Sequence, residues 1–183
     1  MVSLKLRPRA AAVLWIATFL PGLVHADEVV PSAYRLVATE YGIPLRLFYA
    51  VALAESGKII ESMNRRRPWP WTLNIAGVGV YFNTRWQAWH ALDQSLRAGQ
   101  DTVDIGLMQV NWRFHQERLG SSWLALEPYH NLTVGAEILR RCYAERRDWW
   151  ASVGCYHAPS DSHRARAYRN RVTAQWRALA GVD

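Results

Sequence analysis

Cysteine is scarce in this sequence: Cys142 and Cys155 are the whole complement. No His/Cys arrangement at metal-ligand spacing accompanies them, so no metal site and no cofactor are expected. Internal repeats, heptads and low-complexity linkers are also missing, which leaves one domain rather than an array. Long apolar runs are absent except near the start. There "AAAVLWIATFLPGLV" is short, and Pro21 and Gly22 interrupt it, which argues against a membrane anchor. Lys5, Arg7 and Arg9 precede this run and Val24-His25-Ala26 follows it, the layout of a secretory signal peptide. Residues 1–26 are read as that peptide, with cleavage after Ala26 and a single domain over 27–183.

Export changes the meaning of the two cysteines. An oxidising compartment makes a Cys142–Cys155 disulfide the expected state, with two buried thiols as the alternative. Closing that loop would contribute about 3 kcal/mol. The net charge is +7, and it falls to +4 without Lys5, Arg7 and Arg9. Mild basicity suits a cell wall, a membrane surface or nucleic acid without choosing among them. Nucleic acid is not an expected partner, because no recognised motif or basic recognition helix is present. Tryptophan is dense from Trp69 to Trp176. Most of these rings suit a core, and the excess also suits a sugar-binding groove.

The chain reads as mainly helical. "VPSAYRLVATEYG" has Pro31 near a start and Gly42 at a stop. "IPLRLFYAVALAESG" opens at Pro44 and is apolar on nearly every side, which predicts a helix buried on nearly every side. Arg65–Arg67 read as a solvated charge run. "PWPWTLNIAGVGVYFN" predicts an extended excursion with a small hairpin from Trp71 to Phe82. Thr84 and Gln87 have capping-box spacing, and Gly99 closes the helix they start. Asn131 and Asp148 are read as caps of the next two helices. The last helix carries a stripe of Ala165, Tyr168, Val172 and Trp176.

Glu55 is the candidate catalytic residue. It ends the apolar helix, where a low dielectric and the negative helix terminus both disfavour its charge. A carboxyl kept protonated near neutral pH is what a general acid requires. The competing reading is a helix-end glutamate pointing into water.

Four stretches sharpen the choice: "ALAESG" at 52–57, "GLMQVN" at 106–111, "GCYH" at 154–157, and Tyr168 beyond them. In that order they resemble the soluble lytic transglycosylase domain, a relative of the lysozyme fold. The resemblance runs from about Ala33 to Trp176. It implies a mainly α, lysozyme-like α+β fold with a small hairpin or extended excursion. "PWPWTLN" and "YHNLTVGAEIL" resemble small exported members associated with pilus, conjugation or type IV secretion systems. The implied partners are therefore peptidoglycan glycan strands and components of such a machine, and the implied location is the periplasm.

The resemblance also implies roles. Glu55 is the single acid/base, and Ser56 supports it. Met108 packs under a sugar and Gln109 offers hydrogen bonds, both on a cleft wall across from Glu55. Gly106 lets the backbone approach the sugar. Tyr156 falls on the tyrosine of the family's Ala-Tyr-Asn motif, and Tyr168 on a tyrosine that reaches the glutamate. Cys155 and His157 depart from the Ala-Tyr-Asn pattern; His157 can still donate a hydrogen bond. Asn74 and Asn111 are further cleft candidates. Trp69 and Trp71 either stack on glycan or form a packed lid.

Ordinary glycoside hydrolysis uses two carboxylates. Glu61, Asp101 and Asp104 lie at workable sequence distances, but nothing in the sequence sets one of them opposite Glu55. The chemistry that the resemblance implies needs only one carboxylate. A hydrolytic muramidase and a non-catalytic peptidoglycan-binding module are the competing readings.

Overall fold

The computed structural model describes residues 30–180. The expected signal peptide, residues 1–26, lies outside them, as do both ends of the expected domain over 27–183.

Two prolines start the first two helices. Pro31 precedes α1 (Ser32–Glu40) and Pro44 precedes α2 (Leu45–Ser56), each with φ near the fixed proline value. Gly42, at φ +59°, turns the chain between them. Every residue of α2 from Leu47 to Leu53 is at most 4 % exposed. A helix this apolar needs protein on all sides. It finds α1 on one side, α8 (Ser162–Ala178) on another and the first β-hairpin beyond its end.

That hairpin takes in Arg65–Arg67, the run read from the sequence as a solvated charge run. β1 (Gly57–Ile60) pairs antiparallel with β2 (Arg65–Pro68), from Gly57↔Pro68 to Ile60↔Arg65. A single 3-10 turn over Glu61–Met63 and a left-handed Asn64 close it. Arg65 and Arg66 are exposed all the same. Three adjacent arginines hide the strand because they carry no apolar alternation.

The second hairpin matches the sequence reading. β3 (Thr72–Ile75) pairs with β4 (Val78–Tyr81) through Ala76 and Gly77, both at positive φ. That is the two-residue turn whose twist suits a hairpin. β5 (Val103–Ile105) joins the other edge of β3, and β6 (Val110–Asn111) follows it, giving the order β4-β3-β5-β6.

Helices complete the domain: α3 (Arg85–Arg97), α4 (Trp112–Leu119), the single turn α5 (Ser122–Ala125), α6 (Pro128–Arg146) and α7 (Trp149–His157). Thr84 caps α3 by accepting from Gln87 N–H. Gln87 reaches back to Asn83 N–H rather than to Thr84, so the capping box is only half closed. Asp148 and Asp161 cap α7 and α8. Asn131 does not cap α6. Glu127 does, accepting from the N–H groups of Tyr129 and His130, with Pro128 next in the chain. Cys142 on α6 and Cys155 on α7 form a disulfide. The result is the mainly helical α+β fold expected, with α2 running through its centre.

Candidate active site

Glu55 lies on the last turn of α2 and is half-buried. Burial pushes the pKa of its carboxyl up to about 7. The Tyr168 hydroxyl pulls the value back down, the charge of Asp104 adds to the rise, and Arg171 opposes it. Tyr168 is fully buried on α8. Its hydroxyl makes no well-aligned hydrogen bond, yet it lies close enough to Glu55 for hydrogen bonding to lower the carboxyl's pKa. Such loose contacts are common before substrate binds. Burial and the Glu55 charge keep the phenol protonated, so it remains a donor.

Residues 106–109 form the turn between β5 and β6, and Ser56 fastens Glu55 to it. The Ser56 hydroxyl donates to the Leu107 carbonyl at 2.7 Å, with the Ala52 carbonyl at 3.2 Å. Ser56 has no exposed surface, so its support is mechanical.

Two expectations for the turn are corrected. Met108 does not present a cleft wall: it is fully buried, in a notch left by Gly135 of α6. A Cβ at 135 would lie 2.5 Å from Met108 Cγ. Gly106 is not glycine to admit a sugar, because the space beside it belongs to Asn131, as treated below. The Gln109 Nε2 donates to the carbonyls of Gly106 at 2.9 Å and Thr72 at 3.2 Å, and the residue stays partly exposed. Gln109 has φ +45°, and these bonds hold that left-handed geometry in place. Leu107 and Val110 are buried, as an inward anchor requires.

Tyr156 of α7 donates to the Met108 carbonyl at 2.6 Å. Burial, then the charges of Glu55 and Asp104, raise its pKa well above the ordinary value, so it faces both carboxylates. His157 lies flat against the Tyr168 ring, with centroids 4.3 Å apart and planes 6° apart. Burial and then Arg171 and Arg164 lower its pKa, which leaves the ring neutral at pH 7. Where the resemblance implies a hydrogen-bonding residue, this chain supplies a platform for Tyr168.

The candidate second carboxylates separate cleanly. Glu61 is exposed on the 3-10 turn. Asp101 is a surface partner of Arg113, which holds its carboxyl below the usual range. Asp104 alone among them acts on Glu55. Asn74 donates to one of its oxygens at 3.1 Å and Asn111 to the other at 2.8 Å. Trp69 and Trp71 pack edge to face at 5.7 Å and are half-buried, with Trp69 Nε1 donating to the Phe82 carbonyl.

Sequence reasoning missed the part played by Asn131. It is 1 % exposed and clamps the turn from below. Its Oδ1 accepts from Met108 N–H at 2.9 Å, and its Nδ2 donates to the carbonyls of Ile105 and Ala125. A short polar residue before a periodic apolar run looks the same as a helix cap.

A family model described as Transglycosylase SLT domain matches residues 33–177. No curated protein and no solved structure gives a significant match.

Proposed function

Since the chain belongs to the lysozyme-like transglycosylase SLT domain family across most of its length, we propose that it is a lytic transglycosylase cleaving peptidoglycan glycan strands. One observation carries the reading: Glu55 sits at the end of a buried helix with its pKa pushed to about 7, facing a buried tyrosine hydroxyl. A carboxyl tuned to neutral pH serves as acid in one step and base in the next.

The proposed substrate bond is the β-1,4 link between N-acetylmuramic acid and N-acetylglucosamine. Glu55 gives its proton to the bridging oxygen, and the bond from C1 to that oxygen breaks. The acetamido oxygen of the muramic acid stabilises C1. Glu55, now a carboxylate, takes the proton of that sugar's C6 hydroxyl as the C6 oxygen bonds to C1. The products are a 1,6-anhydromuramyl end and a free N-acetylglucosamine hydroxyl, with no water consumed. Holding the C6 hydroxyl in reach makes the second step intramolecular. Tyr168 orients the carboxyl, and His157 backs Tyr168. Tyr156 ties α7 to the turn below the site.

The proposal extends to location and context on sequence grounds alone. Residues 1–26 direct export to the periplasm. There the enzyme opens the wall for a pilus, conjugation or type IV secretion machine.

Mass analysis of fragments released from purified sacculi tests the reaction. Anhydro-ended fragments are expected. Reducing muramic ends mark a hydrolytic muramidase and overturn the transglycosylase reading.

A further inference from the structure

A groove of about 440 Å³ lies where the end of β4 meets the outer face of α3. That size falls in the range of ligand sites, about 300–1,000 Å³. Trp86, His90 and Gln94 stand one helical turn apart along α3 and share its exposed face. Ala88 and Leu92 bury the opposite face. Trp86 is 60 % exposed, and its ring lies 5.2 Å from that of His90. Tyr81, 41 % exposed, closes the groove from β4.

Core packing does not account for these rings. Large aromatic surface left in water is the informative exception among surface residues. The chemistry around it is specific. Asn83, Gln87 and Gln94 bring side-chain amides to the same groove, each able to donate and to accept. No carboxylate, ammonium or guanidinium lines it among the described residues. Flat rings beside neutral amides match a pyranose, which has an apolar C–H face and a rim of hydroxyl and acetamido groups. They do not match an acidic or basic peptide, which needs opposite charges. The groove also adjoins the catalytic helix. The Tyr81 hydroxyl donates to the Gly57 carbonyl at 3.1 Å, two residues beyond Glu55.

We propose that this groove is a distal saccharide site, in which Trp86 stacks on a sugar of the glycan strand beyond the two that flank the cleaved bond. The proposal rests on the glycan-cleaving reading for its ligand. The Trp86 ring covers the apolar face of the sugar and gains from its burial. The amides of Asn83, Gln87 and Gln94 meet the hydroxyl and acetamido groups at the rim. Because the site lies off the reacting atoms, it holds the strand and takes no part in the chemistry. It also gives a use to part of the tryptophan excess that the core leaves outside.

The test uses the Glu55→Gln protein, so that nothing is cleaved, and the β-1,4 hexasaccharide of N-acetylglucosamine as probe. Binding is followed by NMR of the tryptophan indole N–H signals. The hexasaccharide is expected to move the Trp86 signal. Adding Trp86→Ala should weaken its Kd by about tenfold, and Trp86→Phe should restore most of the affinity. An unmoved Trp86 signal, or a Kd within about threefold after Trp86→Ala, overturns the proposal. Trp86 is exposed, so its loss leaves the core intact; should the variant still not fold, the Trp86 signal of the unsubstituted ring decides. A groove that ignores the hexasaccharide while the protein still binds sacculi is a docking surface for another protein, which also overturns the proposal. The two readings fail separately. If wild type releases nothing from sacculi but the hexasaccharide moves Trp86, the cleavage reading fails and the saccharide site stands. If wild type cleaves sacculi and Trp86→Ala loses no affinity, the saccharide site fails and the cleavage reading stands.

Discussion

Gly106 and Asn131 compete for one volume: a Cβ at position 106 would lie 2.6 Å from the Asn131 side chain. Gly106 also sits at φ +77°, where L side chains are strained. The close approach lets the Asn131 amide reach both the Ile105 carbonyl and the Met108 N–H. The geometry of "GLMQVN" is thus set from beneath, by α6.

Gly106→Ala therefore collides with Asn131 and is strained as well. It is expected to destabilise the protein by about 2–4 kcal/mol, read by denaturant unfolding. A loss under about 0.5 kcal/mol would mean the turn relaxes freely.

Asn131→Ala removes three hydrogen bonds and strands the Ile105 carbonyl and the Met108 N–H. Each buried unpaired group costs about 1–3 kcal/mol, so a loss of at least about 2 kcal/mol is expected by the same measurement. Activity per folded molecule should fall too, because Tyr156 hangs from the Met108 carbonyl on this turn.

Glu55 predicts a pH signature. Its folded pKa of about 7 stands above the ordinary 4.5. The folded state thus holds a proton that the unfolded chain releases. Its stabilising share is complete below about pH 4.5 and is lost as pH rises through 7. Glu55→Gln lacks this dependence. The stability of the variant relative to wild type should climb between pH 4.5 and 7, by up to about 3 kcal/mol. Wild-type kcat should decline above pH 7 as the acid loses its proton. A constant stability difference across that range contradicts the assigned environment.

The disulfide joins α6 to α7 across a sequence separation of 13 residues. Replacing both cysteines by serine should cost about 3 kcal/mol and lower Tm. An unchanged Tm would show that helix packing alone holds these helices together.

Much of this was legible in the sequence. Prolines and glycines punctuate α1 and α2, and the apolar run of α2 announces its central burial. Glu55 stood out because it ends that run. Residues whose chemistry suits two environments were not legible. Met108 looks the same on a cleft wall and in a braced turn, and only the Gly135 notch decides for the turn. Asp101 and Asp104 are three positions apart. Strand register alone sets one beside Arg113 at the surface and the other between two asparagines near Glu55. Such pairings depend on segments distant in the chain, which local patterns do not encode.

The central claim is that the Glu55 carboxyl carries the cleavage. Release of soluble fragments from purified sacculi by wild type and Glu55→Gln, at equal concentration and with both proteins folded, tests it most directly. The account predicts fragments from wild type and nearly none from Glu55→Gln. Equal release from both would contradict it.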